Sequence, residues 1–409
     1  MGEQTDRDAG VLLVATMDTK GSEAAFVASA IQEAGIQVRI MDAGIRGTCT
    51  HPVLVSREEV AREAGTTLEA VQKIGHEGEA LGAMIRGAVP IARRFYHEGR
   101  VKGVFGIGGS MGTTLGTAVM RAFPLGVPKV MVTTMASRDT RAFVGTRDLL
   151  MLHSVCDLSG LNRITRAVLG NGAHAMAGMV RWRELHEQRD ERPLAVISTL
   201  GTTEVCAVEI RRGLEERGYE VVVFHTVGAG GEALEELIRE QDVAVLVDLS
   251  LHELTDHRFG GDYDAGPERG RSALKKGVPT ILVPGNVDFL VAGAFDKAVA
   301  RFPGRKAHAH NSAITVIRAA DEEIEAVGRV VAGFCAGATG PVKILVPGDG
   351  LSAFDHPEGP LYSPGGPEAF LRGLNQELDG ACPVREVPAH INDPAFTAAV
   401  LEVFDRITG

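Results

Sequence analysis

The 409-residue chain has no apolar run approaching the roughly 20 residues of a membrane-spanning helix. One Trp and four Tyr are too few for an aromatic platform that stacks nucleic-acid bases. Positive charge is also short: the net charge is −11, which argues against a general nucleic-acid or membrane-surface role. The five cysteines (Cys49, Cys156, Cys206, Cys335 and Cys382) are scattered, odd in number and form no C-x-x-C pair. That pattern excludes a disulfide framework and points to reduced thiols in a cytoplasmic protein. The first ten residues are polar and acidic, so no signal peptide is expected.

Glycine is plentiful, with 50 residues, as many short βα turns require. On sequence alone, the chain is organised around residues 104–123. An apolar run, 104–107, reads as a buried strand and stops at Gly108-Gly109-Ser110-Met111-Gly112. Leu115, Val119 and Phe123 then follow at helical spacing. Strand, glycine loop and helix present free backbone N–H groups, with the positive end of the helix dipole, to an anion. Ser110, Thr113 and Thr114 add hydroxyl donors. Phosphate or carboxylate is the expected ligand; the alternative is a tight βα turn that binds nothing. No Lys follows Gly112, so this is not a P-loop, and the glycines miss the G-x-G-x-x-G spacing of a dinucleotide fold.

In chain order, residues 11–16 read as the first strand and 23–33 as a helix, with 36–41 as the second strand. Asp18, Thr19 and Lys20 then fall at the carboxyl end of strand one, where open α/β sheets bind ligands. A lysine at a helix N-terminus opposes the dipole unless an anion is bound there. Residues 44–100 read as a helical insertion with capping boxes at Ser56-x-x-Glu59 and Thr66-x-x-Glu69. Its long second helix, to about His97, is interrupted by glycines and reads either as an interface or as a cover helix. Residues 129–133 form another strand, followed by Arg138, an anion clamp in one reading, and Asp139, a ribose or metal ligand in the same reading.

The charged stretch 183–193 marks a boundary, giving an N-terminal domain at 1–188 and a C-terminal domain at 193–409. Shifting the numbering by 183 superposes the two openings: Thr16 on Thr199, Thr19 on Thr202 and Gly35 on Gly218. The fold class is therefore α/β, two tandem Rossmann-like units with mostly parallel sheets and a ligand cleft expected between them. The second copy replaces the glycine loop with a polar stretch, 248–262, read as a long functional loop. His252 and His257 are one residue too far apart for a zincin helix. His308 and His310 read as a strand-borne metal pair or as hydrogen-bonded surface. A long loop at 347–362 carries Asp349, Ser352, Asp355 and His356; His310, His356 and Asp355 are the acid/base candidates, and Asp139 and Asp349 the metal candidates.

The runs Thr16-Met17-Asp18-Thr19-Lys20-Gly21, 106–113, Thr133-Thr134-Met135-Ala136-Ser137, His308-Ala309-His310-Asn311 and Pro347-Gly348-Asp349-Gly350 carry a resemblance. The chain resembles an uncharacterised bacterial family that also supplies the N-terminal, ATP-binding domain of the tomato tobamovirus-resistance protein, the Tm-1-like ATP-binding family. The resemblance covers essentially the whole chain. It implies Rossmann-like subdomains and nucleotide binding, with ATP as ligand, and it carries over no catalytic residue. The plant proteins continue into a TIM-barrel-like domain absent here, so a separately encoded barrel protein is an expected partner. The combined expectation is an enzyme or enzyme subunit acting on a small anionic metabolite, with ATP or another phosphorylated ligand and Mg²⁺. Asp18, Thr19, Lys20, Gly108, Gly109, Ser110, Gly112, Thr113 and Arg138 would hold that ligand. The rival is a non-catalytic ATP-binding sensor or scaffold. A homo-oligomer is expected because symmetric dimers are common.

Overall fold

The computed structural model describes residues 9–186, 190–378, 380 and 382–409. The chain divides into two compact units, Met1–Arg189 and Asp190–Gly409. Among the described residues, no helix is long and apolar enough to cross a membrane.

The first unit is built on a five-stranded, all-parallel sheet. Its strands are β1 (Gly10–Ala15), β2 (Val38–Asp42), β3 (Val101–Gly108), β4 (Lys129–Thr133) and β5 (Leu150–His153), in the order β2-β1-β3-β4-β5. β1 and β4 are buried at every position, as expected of strands covered on both faces. Two separate apolar clusters sandwich the sheet. One gathers Leu12, Val14 and Val104 under the insertion and the helix Ser110–Arg121; the other packs Val11, Leu13 and Phe105 under the helices Met17–Glu33 and Arg163–His186. The order reverses between β1 and β3, and ligands bind at such a switch point, outside the carboxyl ends of the strands.

The second unit repeats the plan. β6 (Leu194–Thr199), β7 (Glu220–His225), β8 (Val245–Ser250), β9 (Thr280–Gly285), β13 (Val342–Pro347) and β14 (Val384–Val387) run parallel in the order β7-β6-β8-β9-β13-β14. Counted within each parallel sheet, both orders begin 2-1-3-4-5. The units also end their first helices alike. Gly35 (φ +82°) and Gly218 (φ +84°) take the left-handed conformation, and the next N–H reaches back to Ile31 O and Leu214 O respectively. A small antiparallel sheet of β10 (Phe289–Ala292), β11 (Ala307–Ala309) and β12 (Thr315–Arg318) completes this unit.

Several sequence expectations are corrected. The first helix begins at Met17 rather than residue 23, with non-helical backbone at Lys20 (φ −126°, ψ 19°). The insertion's second helix is two helices, Leu68–Gln72 and Glu77–His97. Thr67, not Thr66, caps the former through Ala70 N–H. The polar stretch 248–262 is mainly the helix His252–Phe259, because its side chains are absorbed by buried partners described below. His308 lies on β11 but His310 lies beyond it, in the turn to β12, so the two do not share a strand face.

Candidate functional site

At the first unit's switch point, β3 runs into the glycine loop and the helix Ser110–Arg121 starts at once. Packing accounts for two of the loop glycines. A Cβ on Gly108 would lie 2.7 Å from Gly112 Cα, and one on Gly112 would lie 2.8 Å from Ile107 O, so helix and strand touch backbone to backbone. Gly109, the N-cap, is different: a Cβ there would meet only Thr134 Oγ1, at 3.8 Å. Thr113 builds the loop rather than lining it. Its buried hydroxyl donates to Gly109 O at 2.7 Å and lies 2.5 Å from Thr133 Oγ1.

No side chain caps this helix and no acidic residue occupies its first turn. Thr113 N–H bonds Gly109 O, while the N–H groups of Ser110, Met111 and Gly112 take no acceptor from the described residues. Three unsatisfied donors at the positive end of a helix form an anion site.

These donors open on a cavity of about 370 Å³. Asp18, Thr19 and Lys20, from the first turn of the helix that follows β1, share it with Gly108, Gly109, Ser110 and Gly112, so the strand order brings together two motifs some 90 residues apart in sequence. Arg46 and Asp157 also line it, and neither stood out in the sequence. The opposite wall is apolar, formed by Ile45, Val71, Ile74, Ala80 and Leu81, with Glu77 at the start of its helix. The insertion thus supplies a wall of the cavity, a role its glycine spacing did not reveal. Arg138 and Asp139 are exposed beyond β4 and outside this lining; Asp139 caps Arg141 N–H at 3.0 Å.

Two carboxylates tie together the segments around this cavity. Asp42, 1% exposed, accepts from Met17 N–H (3.1 Å) and Gly44 N–H (2.8 Å), tying the start of the first helix to the loop after β2. Burial raises its pKa, against the lowering effect of those two N–H groups. Asp18 Oδ2 accepts from Arg46 N–H at 2.9 Å, whereas Asp18 Oδ1 is buried without a partner. That orphan oxygen is suited to a ligand hydroxyl or to a water on a hydrated Mg²⁺.

The second unit treats its equivalent edge differently. Arg269, fully buried, donates two hydrogen bonds to Asp248 and one to Glu253, all at 2.7 Å, and lies 3.6 Å from Glu235. Burial opposes its charge, but Asp248 and the other carboxylates raise its pKa well above the usual value. Glu253 Oε1 accepts from Gly228 and Gly231 N–H at the start of the helix Ala229–Glu240, so the protein's own carboxylate occupies that helix end. Asn286 fills the space beside it, bonded to Thr202, Thr203 and Ser250.

A second cavity, of about 510 Å³, lies beyond β13 and β14 and is lined by Asp349, Asp355, His356, Tyr362, His390 and Asp393. Asp355 is buried and spent on Leu351 and Ser363 N–H, while His356 is exposed and its ring lies 5.7 Å from that of His390. His310 is exposed and outside this lining. Among the described residues, no three His, Cys, Asp or Glu side chains are placed to hold a metal ion, so Asp139 and Asp349 gain no co-ligands there. Behind the cavity, Ser352 Oγ donates to buried Asp288 at 2.7 Å. Burial, with the neighbouring charge of Asp355, pushes the Asp288 carboxyl up to about 7 despite Arg318 nearby.

Two family models match the chain, the N-terminal domain of the uncharacterised protein family UPF0261 over residues 9–185 and its C-terminal domain over residues 192–408. A UPF0261 protein of Clostridium tetani is 33% identical over 391 residues, spanning 95% of this chain and 96% of the relative. One from Brucella suis is 34% identical over 398 residues, spanning 97% and 95%. The ToMV resistance protein Tm-1(GCR237) of Solanum lycopersicum is 32% identical over 317 residues, which is 76% of this chain but 42% of the plant protein. With both domain models matched end to end and relatives aligned over nearly their full length, the chain belongs to the UPF0261 family.

Proposed function

We propose that the first unit binds the phosphate groups of a nucleotide, with ATP as the ligand. The observation that carries this reading is the trio of unsatisfied N–H groups at Ser110, Met111 and Gly112, opening on a cavity that Lys20 and Arg46 also line. Backbone donors and two cations suit a polyanion. The apolar wall of Val71, Ile74, Ala80 and Leu81 suits a flat base, and Asp18 Oδ1 suits a ribose hydroxyl or Mg²⁺ hydration. The resemblance to the ATP-binding domain of the tomato resistance protein supports the same ligand class.

Thermal unfolding against ATP, ADP, NAD, inorganic phosphate and small carboxylates, each with and without Mg²⁺, tests this. A ligand at 100 times its Kd adds about 2.7 kcal/mol and moves the midpoint by several degrees. A shift with ATP supports the reading; a shift with carboxylates alone replaces it. Chemistry would need a second substrate at the same cavity, where Asp18, Glu77 and Asp157 are the carboxylates within reach. Measured turnover of bound ATP separates an enzyme from a sensor.

A further inference from the structure

Lys20 sits where the first helix breaks, and its ammonium donates to Leu158 O at 2.5 Å, 138 residues further along the chain. That carbonyl is held firmly. The Leu158 side chain is fully buried in the core beneath the helices Met17–Glu33 and Arg163–His186. Two residues on, Gly160 N–H donates to Glu23 Oε1 at 2.6 Å. Glu23 is itself only 1% exposed, and its other oxygen accepts from Ser22 Oγ at 2.8 Å.

The approach to this clip is strained. Cys156 N–H donates to Ser154 O at 2.7 Å across Val155, whose φ is +66°. A β-branched residue in that region is strained. Val155 is 68% exposed, so burial of its side chain does not offset the cost. Strain of this kind persists where the surroundings over-determine the path. The Leu158 anchor and the Glu23–Gly160 bond are those surroundings.

We infer that Glu23 is a positioning residue for the anion site: it fixes Gly160, hence the Leu158 carbonyl, which holds the Lys20 ammonium at the cavity beside the Ser110–Gly112 donors. The inference rests on the phosphate-binding reading above. Lys20 keeps two further N–H donors for a ligand while the third is tethered. Tethering a flexible lysine in advance removes part of the ordering cost that binding would otherwise incur.

The first test needs no ligand. Acetylation of Lys20 by acetic anhydride, followed by peptide mass spectrometry, reads how firmly its amine is held. Glu23→Ala raises the rate several-fold, while Glu23→Gln, which keeps an acceptor for Gly160 N–H, stays near wild type. Equal rates in wild type and Glu23→Ala overturn the inference; Glu23→Asp replaces the alanine variant if that one does not fold. Titration calorimetry with ATP then completes a double-mutant cycle. Glu23→Ala weakens binding about tenfold, the weight of one charge-assisted hydrogen bond, yet changes it less than about twofold in a Lys20→Ala background. Equal losses in both backgrounds mean a general structural role and overturn the inference. Absence of ATP binding to the wild type sinks the phosphate reading alone, because the acetylation rates still decide the clip.

Discussion

Gly109 separates a ligand-binding loop from a plain βα turn. Its neighbours Gly108 and Gly112 are required by the fold, since a Cβ on either would come within 2.8 Å of backbone. Gly109 is not: the nearest protein atom to its would-be Cβ is Thr134 Oγ1 at 3.8 Å, an ordinary contact. Its φ of −79° is open to alanine. Gly109→Ala therefore costs only the poorer N-cap, about 1 kcal/mol, or roughly 2–4 °C in a unit of this size. The added methyl enters the open space beside the Ser110–Gly112 donors, where a phosphate would approach the backbone. ATP affinity is expected to fall at least tenfold, about 1.4 kcal/mol, measured by titration calorimetry. Gly112→Ala is the control for the opposite cause. Its methyl meets Ile107 O, and overpacking of that kind costs about 1–3 kcal/mol of stability, so its midpoint falls first. Unchanged ATP affinity in a folded Gly109→Ala protein would refute the reasoning, because the missing side chain would then serve neither packing nor ligand.

Two further outcomes follow from the second unit. Arg269→Ala leaves Asp248 and Glu253 buried without their cation and is expected to cost about 3–5 kcal/mol, read as a lower midpoint in denaturant, with little effect on ATP affinity per folded molecule. Asp288 holds its proton more tightly when folded, near 7, than a free carboxyl does. Between about pH 4 and pH 7 the native state therefore binds more protons than the unfolded one, and Asp288 makes stability fall as pH rises through that window. Asp288→Asn should remove that part of the slope in urea melts at several pH values; an unchanged slope would show that Asp288 is not its source.

The parallel sheets were legible because strands buried on both faces write themselves as unbroken apolar runs, as in β1 and β4. The juxtaposition of Lys20 with the glycine loop was legible too, since strand order in such sheets places both at one edge. Three features were hidden for a common reason: they depend on partners remote in sequence. Arg269 lies 16 residues beyond Glu253 and 21 beyond Asp248, so those acids read as part of a long functional loop when they are a neutralised buried network. Lys20 read as a misfit against the helix dipole. In the structure the helix breaks at Lys20 and its ammonium turns to a carbonyl 138 residues away. The insertion's wall residues, Val71 and Ala80 with Leu81 on two helices and Ile74 between them, form an ordinary apolar pattern that does not say what it covers.

On the proposed function, backbone donors at one helix start receive the ligand's phosphate. Amide hydrogen exchange of the wild-type protein, with and without saturating ATP and Mg²⁺, addresses it residue by residue. Slowed exchange is expected at Ser110, Met111 and Gly112, with smaller changes in the helix turn holding Asp18 and Lys20. Binding of ATP that leaves those three amides exchanging at their ligand-free rates would contradict it.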